Sequence, residues 1–574
     1  MKPHFSLDFR PKLFDTLRNY NKETFAKDLM AGIIVGIVAI PLAIAFGIAS
    51  GVGPTEGLVT AIFAGFLISA LGGSRVQIGG PTGAFIIIIY NIVQDPNLGL
   101  AGLAIATIMA GILLVLMGVF KLGTIIKFMP YPIIVGFTAG IAVTIFSTQI
   151  NDLFGLRLEE VLKEGEKMPG DFIDKWALYF DHFDRTDLWS LGMGVATILI
   201  IALTGKISKK IPGSLVAIIA MTAVYWVLKE YTDIEQVKNI KTIGAMPPLP
   251  SFTLPKLAEN ATLWSTIHNL LPPAFTIAML GAIESLLSAM VADGVINSRH
   301  NSNTELIAQG AANIVVPFFG GIPATGAIAR TMANINNGGR TPVAGIVHAV
   351  VLLLALLCLG DLISIIPMPC MAGVLVVVAY NMSGWRTVRS MCSRQSRSDI
   401  AILFITMILT IVFDLTIAIM VGLVLAVVLF VRRIMETSKI SVLRNEMELH
   451  HDGEDGDVQL SIPNNVEVFE IEGPFFFGVA TKFEEMAAKR DVMPIRIVRM
   501  RKVTFIDSTG IHNLESFVES ALRNGQKIIL SGVNEKVYHS IERAGIVKML
   551  GKENVLDHID KALERAKKLA AELQ

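Results

Sequence analysis

Two short stretches decide how this chain folds: GGPTGAF (79–85) and GGIPATGAIAR (320–330). In each, proline blocks a continuous helix while glycine permits a loop, so each predicts a half-helix that begins inside the surrounding layer. An ordinary interfacial turn is the alternative. The broken-helix reading is favoured because the two stretches stand at corresponding places in the two halves of the chain. ASGV (49–52) echoes ADGV (292–295), and LGTIIKFMPYPIIVG (122–136) matches LGDLISIIPMPCMAG (359–373). There Pro130, Pro132 and Gly136 fall in register with Pro367, Pro369 and Gly373. All three matches keep their order at a spacing of about 240 residues.

The surroundings of these motifs are apolar. Of 574 residues, 52% are hydrophobic and 17% charged, with a mean hydropathy of +0.59. Soluble domains carry about 25% charge, and stretches such as 100–119 and 341–359 approach the ~20 apolar residues that cross a bilayer. This composition argues against a soluble enzyme of two or three domains and predicts a polytopic α-helical membrane protein. Fourteen segments are expected, at 30–49, 56–72, 80–93, 98–119, 128–148, 188–204, 212–228, 270–292, 303–319, 327–336, 342–360, 364–380, 398–415 and 416–433. Seven segments separate equivalent elements, and an odd number inverts the second copy in the membrane. Inverted repeats of this type build secondary transporters, with the substrate site between the copies.

Charge gives the expected orientation. Arg10, Lys12, Arg18, Lys22 and Lys27 fall on one side, with Lys206, Lys209 and Lys210 and with Arg386, Arg389, Arg394 and Arg397. The stretch EEVLKEG (159–165) on the other side is acidic. By the positive-inside rule both termini are cytoplasmic; the membrane expected is the cell's inner (plasma) membrane. The first apolar run lacks a small-residue cleavage site and reads as a retained span. Lys+Arg and Asp+Glu balance at 49 each, which gives no sign of a nucleic-acid partner. Cys358, Cys370 and Cys392 form no disulfide framework or metal-ligand spacing.

Two ionisable residues stand inside apolar elements. Arg330 opens the tenth segment, and a charge at that depth costs ~2.5–3.5 kcal/mol on insertion scales, which makes it a functional candidate. Each half-helix start adds roughly +0.5 of partial charge and unpaired N–H donors, so together with Arg330 they form a focus for an anion. A snorkelling or carbonyl-paired arginine is the structural alternative. Glu284, in PPAFTIAMLGAIESLLSAMVADGV (272–295), is the candidate for a coupling cation, with Ser288 four residues on and on the same face. Its alternative role is a plain salt bridge to Arg330. Asp293, on the opposite face near the cytoplasmic end, reads as serving structure or topology. Two helix ends, one arginine and one carboxylate sum to about +1. That suits a monoanion, or a dianion when Glu284 is protonated or holds a cation, and favours symport with H⁺ or Na⁺. Phe46, after Pro41 in the first segment, is within reach of this site.

Composition changes near residue 435, which divides the chain into a cytoplasmic N-terminal segment (1–27), a transport domain (28–435), a linker (436–465) and a small cytoplasmic domain (466–574). The stretch 440–465, with His450 and His451, reads as an exposed connector without metal-ligand spacing. Beyond it NVEVFEIEG, PIRIVRM and KIILSG read as strands, and KFEEMAAKR, LESFVESALRN and EKVYHSIERAG as helices, an α/β alternation. In VTFIDSTGIHNL (503–514), Ser508 reads as a helix cap or a phosphorylatable hydroxyl. No GxxxxGK[ST] loop occurs to support an ATP-driven pump.

The stretch DLMAGIIVGIVAIPLAIAFGIASGVGPTEGL (28–58), GGPTGA, LGAIESLLSAMVADG and GGIPATGAIARTMANINNGGRTPVAG (320–345) resemble the sulfate permease or solute carrier 26 anion transporters. DSTG (507–510) resembles the DSSG-like loop of a STAS domain. The eighth- and tenth-segment motifs look most like bacterial members that include a C4-dicarboxylate transporter. The resemblance implies a seven-plus-seven inverted repeat, with a core (segments 1–4 and 8–11) moving against a gate. It implies substrate contacts at Phe46, at Thr82, Gly83, Ala84 and Phe85, and at Ala329, Arg330 and Thr331, with Glu284 and Ser288 for the coupling ion. It further implies a homodimer, phosphorylation at Ser508 and a regulator at the STAS domain. Some relatives carry a polar residue where this chain has Leu42. The expected function is secondary active symport of sulfate, bicarbonate or a C4-dicarboxylate by an elevator-like movement. An uncoupled exchanger or channel is the first alternative, and a membrane-tethered STAS sensor the second. With no nucleophile–base pair and no metal cluster, neither catalysis nor a resident cofactor is expected.

Overall fold

The computed structural model describes residues 9–572 apart from 19, 97, 124–129, 163–167, 170, 208–211, 233, 245–262, 414, 444–445, 450–457, 480–482 and 484–492. Lys209, Lys210, His450, His451 and, Phe483 apart, the stretch 482–490 therefore lie outside the described residues. Among the described residues, fourteen helices answer to the fourteen expected segments. We number them α1 (Lys22–Ala49), α2 (Pro54–Leu71), α3 (Ile86–Gln94), α4 (Gly99–Val119), α5 (Tyr131–Thr148), α6 (Leu188–Ile207), α7 (Gly213–Tyr231), α8 (Leu263–Ile296), α9 (Ser302–Val315), α10 (Ile328–Asn336), α11 (Val343–Ser364), α12 (Met368–Met382), α13 (Arg397–Val412) and α14 (Leu415–Thr437). The largest differences are at helix starts: α1 begins eight residues before the expected segment and α8 seven before. Asn21 caps α1, its side chain accepting from the Thr24 N–H. Pro41 sits within α1 without ending it.

The chain divides into two compact units, 1–424 and 425–574. In the first, α1, α2, α4, α8, α9 and α11 pack as one group, while α5, α6, α7, α12 and α13 pack as another. Packing follows the repeat. α4 lies on α9 and α11 on α2; α5 lies on α13 and α12 on α6. Each pair becomes the other when seven is added to or subtracted from its numbers. The equivalent Gly136 and Gly373 sit at two of these crossings, where a Cβ would overlap the Leu403 carbonyl or the Gly194 carbonyl.

α3 and α10 are short, nine residues each, against the ~20 needed to span a bilayer. Both are preceded by extended chain: β1 (Gly79–Gly80) pairs antiparallel with β2 (Thr325–Gly326), Gly79 opposite Gly326 and Gly80 opposite Thr325. This ladder satisfies irregular backbone that hydrocarbon could not. Both motifs that open the sequence analysis are therefore broken helices, joined back to back.

In the second unit, five strands form a sheet in the order β3 (Lys439–Leu443), β6 (Val466–Glu472), β7 (Ile495–Lys502), β8 (Lys527–Ser531) and β9 (Val555–Leu556). β6 to β9 are parallel neighbours and β3 is antiparallel at the edge. A separate hairpin joins β4 (Glu446–Leu449) to β5 (Val458–Ser461). Helix α15 (Ser508–Arg523) and α16 (Glu535–Arg543) pack Leu514, Phe517, Val518, Val537 and Ile541 on one face with Phe469 and Val498. α18 (Ile559–Glu572), which follows the one-turn α17 (Ile546–Leu550), covers the other face through Ala562, Leu563 and Ala566. The stretch read as an exposed connector thus contributes an edge strand and a hairpin. Its alternating pattern is short, and its pairing partner lies well downstream.

Candidate functional site

The β1–β2 ladder directs the starts of α3 and α10 toward one region. Thr82 caps the single 3₁₀ turn Gly83–Phe85 that leads into α3, its Oγ1 accepting from the Ala84 N–H at 3.4 Å. Ala327 precedes α10 and donates its N–H to the Ile78 carbonyl at 3.0 Å. A cavity of about 810 Å³ lies here, lined by Phe46, Thr82, Glu284, Ala329 and Arg330, and across from them by Val374, Asn381 and Met382 of α12. Along α1 it runs from Ile34 through Leu42 to Phe46.

Arg330 is 2% exposed. Its Nη2 donates to the Pro81 carbonyl at 2.6 Å, whereas its Nη1 is buried with no hydrogen-bond partner among the described residues. Gly80 lies against this guanidinium in a left-handed conformation, φ +149°, and a Cβ there would overlap Nη1. Glu284 accepts from Thr82 Oγ1 at 3.2 Å through Oε1; its Oε2 is buried without a hydrogen-bond partner among the described residues. Among the described residues no ion pair within 4 Å joins Glu284 to Arg330, so the plain salt bridge weighed above is not formed. A buried charge left unpaired is costly. Here two opposite charges face one cavity, each with hydrogen-bonding capacity unspent.

Five expected residues meet in this way: Phe46, Thr82, Glu284, Ala329 and Arg330. The other five do not line the cavity. Gly83, Ala84 and Phe85 are buried in the 3₁₀ turn, Ala84 and Phe85 within the apolar core. Ser288 Oγ donates to Thr331 Oγ1 at 3.1 Å, and Thr331 Oγ1 accepts from the Ile78 N–H at 3.1 Å. That chain straps α8 and α10 to the strand before the break. Four residues along a helix carry a side chain some 40° around the axis, enough to turn Ser288 from the cavity into the α10 contact.

Several buried polar residues escape a reading based on the motifs alone. Glu305 of α9, 0% exposed, accepts from the Gly73 and Ser74 N–H groups at 2.8 and 3.0 Å and from Gln309 at 2.9 Å. Asn313 bridges to Ala324 in both directions, Thr60 Oγ1 accepts from the Ile322 N–H, and Asn334 donates to the Val76 carbonyl. Asp28 of α1 accepts from the Arg340 and Thr341 N–H groups beyond α10. His348 of α11 is also fully buried. The signal for Glu305 was available: an acid inside the ninth expected segment. Asp293 accepts from the His300 N–H at 2.8 Å and contacts its ring at 2.7 Å, a structural role as read.

In the small domain Asp507, not Ser508, caps α15, its Oδ1 accepting from the Gly510 N–H at 2.7 Å. Ser508 is the first helical residue and is exposed. Among the described residues no group of three or more His, Cys, Asp or Glu side chains is placed to hold a metal.

Fold and cavity together define a polytopic membrane protein built as a seven-plus-seven inverted repeat, with a small α/β domain appended. The sulfate permease family matches residues 25–406 and the STAS domain residues 457–565, and the chain belongs to that family. It is 40% identical over 548 residues, covering 95% of this chain and 98% of the other, to YvdB of Bacillus subtilis (strain 168), named as a candidate sulfate transporter. It is 28% identical, with 94% of each chain covered, to the bicarbonate transporter BicA of Synechocystis sp. (strain ATCC 27184 / PCC 6803 / Kazusa). The structure of murine solute carrier 26 family member A9, an anion transporter, superposes with a TM-score of 0.82 over 97% of this chain and 94% of that one, at 18% identity. The transmembrane domain of a cyanobacterial BicA gives 0.60 over 71% of this chain and 98% of its own, at 28% identity.

Proposed function

We propose that this member of an anion-transporter family is a secondary active symporter that moves sulfate, bicarbonate or a C4-dicarboxylate with H⁺ or Na⁺. The observation that carries this reading is the pair of unspent groups in one cavity, Arg330 Nη1 and Glu284 Oε2. An anion bound between the two helix starts would meet the guanidinium and partial positive charge. A proton or sodium ion on Glu284 would remove the one opposing charge, so the two solutes favour each other's binding. The substrate residues are then Phe46, Thr82, Ala329 and Arg330, with Gly83, Ala84, Phe85 and Thr331 supporting them; Glu284 takes the coupling ion and Ser288 holds α10 in place. Alternating access follows from the group containing α1–α4 and α8–α11 sliding against the gate helices in an elevator-like motion.

The setting is the inner membrane, with both termini cytoplasmic and the chain a homodimer. We take 28–435 as the transport domain and 466–574 as the STAS domain, with β3, inside the expected linker, completing the edge of the STAS sheet. Ser508, exposed at a helix start that favours added negative charge, is the phosphorylation site through which a cytoplasmic regulator would act. An uncoupled exchanger would not need an unspent carboxylate oxygen beside the anion focus.

The test is flux of labelled sulfate, bicarbonate, succinate and fumarate into proteoliposomes, each with and without imposed H⁺ and Na⁺ gradients. Uptake against a gradient of one anion, driven by one cation, is expected, and E284Q should retain exchange while losing the cation dependence. Gradient-driven uptake persisting in E284Q would remove Glu284 from coupling.

A further inference from the structure

A second cavity, of about 470 Å³, lies on the other side of α1. Ala45, Ile48 and Ala49 border it while Leu42 and Phe46 border the first; on α12, Met371, Ala372 and Leu375 border it while Val374, Val377 and Val378 border the first. α1 and α12 each border both spaces and so stand between them. The second one lies at the C-terminal end of α1, which the orientation read from charge makes the extracytoplasmic face.

Its notable side chain is Lys175, on the helix Phe172–Asp181. Lys175 is only 5% exposed. Its Nζ stands over the Tyr90 ring, 4.9 Å from the centroid, and among the described residues no carboxylate lies within 4 Å of it. The cavity's other lysine is differently placed: Lys241 Nζ is paired with Glu159 at 2.8 Å. An ammonium withdrawn from water needs compensation beyond a ring face, and Lys175 borders a space large enough for a small anion.

We propose that this cavity is an anion-binding antechamber, in which Lys175 holds a small oxyanion or carboxylate before it passes the α1–α12 wall toward Arg330. The assignment rests on the transport reading above for its purpose, though not for the binding itself. Tyr90, Tyr179, Asp152, Glu159 and Lys241 face the same space, and Asp171 lies one turn before Lys175. Burial pushes the Lys175 amine down to about 8. Burial pushes the Tyr179 hydroxyl up. Lys241 is raised, its own burial outweighed by the hydrogen bond and charge of Glu159 acting together with the charge of Asp152. Raising external pH from 7 to 9 should therefore discharge Lys175 while Tyr179 stays neutral and Lys241 charged, and the external anion should bind more weakly as it does so.

Two measurements on the full-length protein test this. In detergent, acetylation of Lys175 by a sulfonated N-hydroxysuccinimide ester, followed by mass spectrometry, should be slowed at least threefold by sulfate or succinate relative to a bulky buffer sulfonate at equal ionic strength. In proteoliposomes, K175Q should raise the external half-saturation concentration about five- to tenfold and flatten its dependence on pH between 7 and 9, while K175R keeps the wild-type half-saturation. Equal acetylation in both salts, together with unchanged half-saturation in K175Q, would overturn the antechamber and leave transport standing. Protection of Lys175 in a wild-type protein that moves neither anion would leave the antechamber and overturn the transport reading.

Discussion

Arg330 and Gly80 act as one unit. The guanidinium gives one hydrogen bond to Pro81 and keeps Nη1 unspent because Gly80 has no side chain to occupy that space. A hydrogen bond to a charged group contributes about 1.5–3 kcal/mol, or roughly a 10- to 100-fold change in affinity. Arg330→Ala should weaken anion binding by about that factor without unfolding the protein, as equilibrium dialysis with labelled anion would reveal; unchanged affinity would take Arg330 out of the site. Gly80→Ala should produce a loss of similar size through displacement of the guanidinium, whereas Gly360→Ala, where a Cβ meets nothing within 4 Å, should bind like wild type. Much of this was legible from residue chemistry, since an arginine and a glutamate inside apolar segments stand out. Depth within the bundle was not. Helical spacing set Ser288 beside Glu284 but could not tell that Thr331 would claim its hydroxyl, and the TGAF run 82–85 does not say which of its residues turn inward.

Among the elements, the two broken helices are held by side chains that a motif search passes over. Glu305 receives two backbone N–H groups from the chain just before β1. Its replacement by alanine would strand both donors in the interior at roughly 1–3 kcal/mol each. Glu305→Ala should lower the apparent melting temperature by several degrees in a tryptophan-fluorescence or scanning-fluorimetry assay. Glu23→Ala, on an exposed pair with Lys27, should leave it unchanged. Element existence was readable because apolar runs of membrane length carry a strong signal. Their starts were not, since α1 and α8 continue past the apolar stretch into polar turns. The β3 edge strand was hidden for a different reason: its identity is fixed by β6, and nothing within Lys439–Leu443 announces that partner.

At the scale of the molecule, the two compact units have separate cores. That of the second recruits Val431, Ile434 and Met435 from the last turns of α14. A soluble fragment starting at Val431 should therefore be more stable than one starting at Lys439, on the order of 2–4 kcal/mol for the apolar surface restored, measured by urea unfolding; equal midpoints would show those three side chains contribute nothing. In the first unit the repeat was visible as three sequence echoes, and the swap of helix numbers in the packing pairs follows from it. The β1–β2 ladder carries this furthest, because each half of the chain supplies one strand and neither can complete it alone. Cut in the stretch between α7 and α8 and produced as two polypeptides, the protein should be rescued only when both fragments meet in one bilayer, each a template for its upside-down counterpart and each otherwise left to proteolysis.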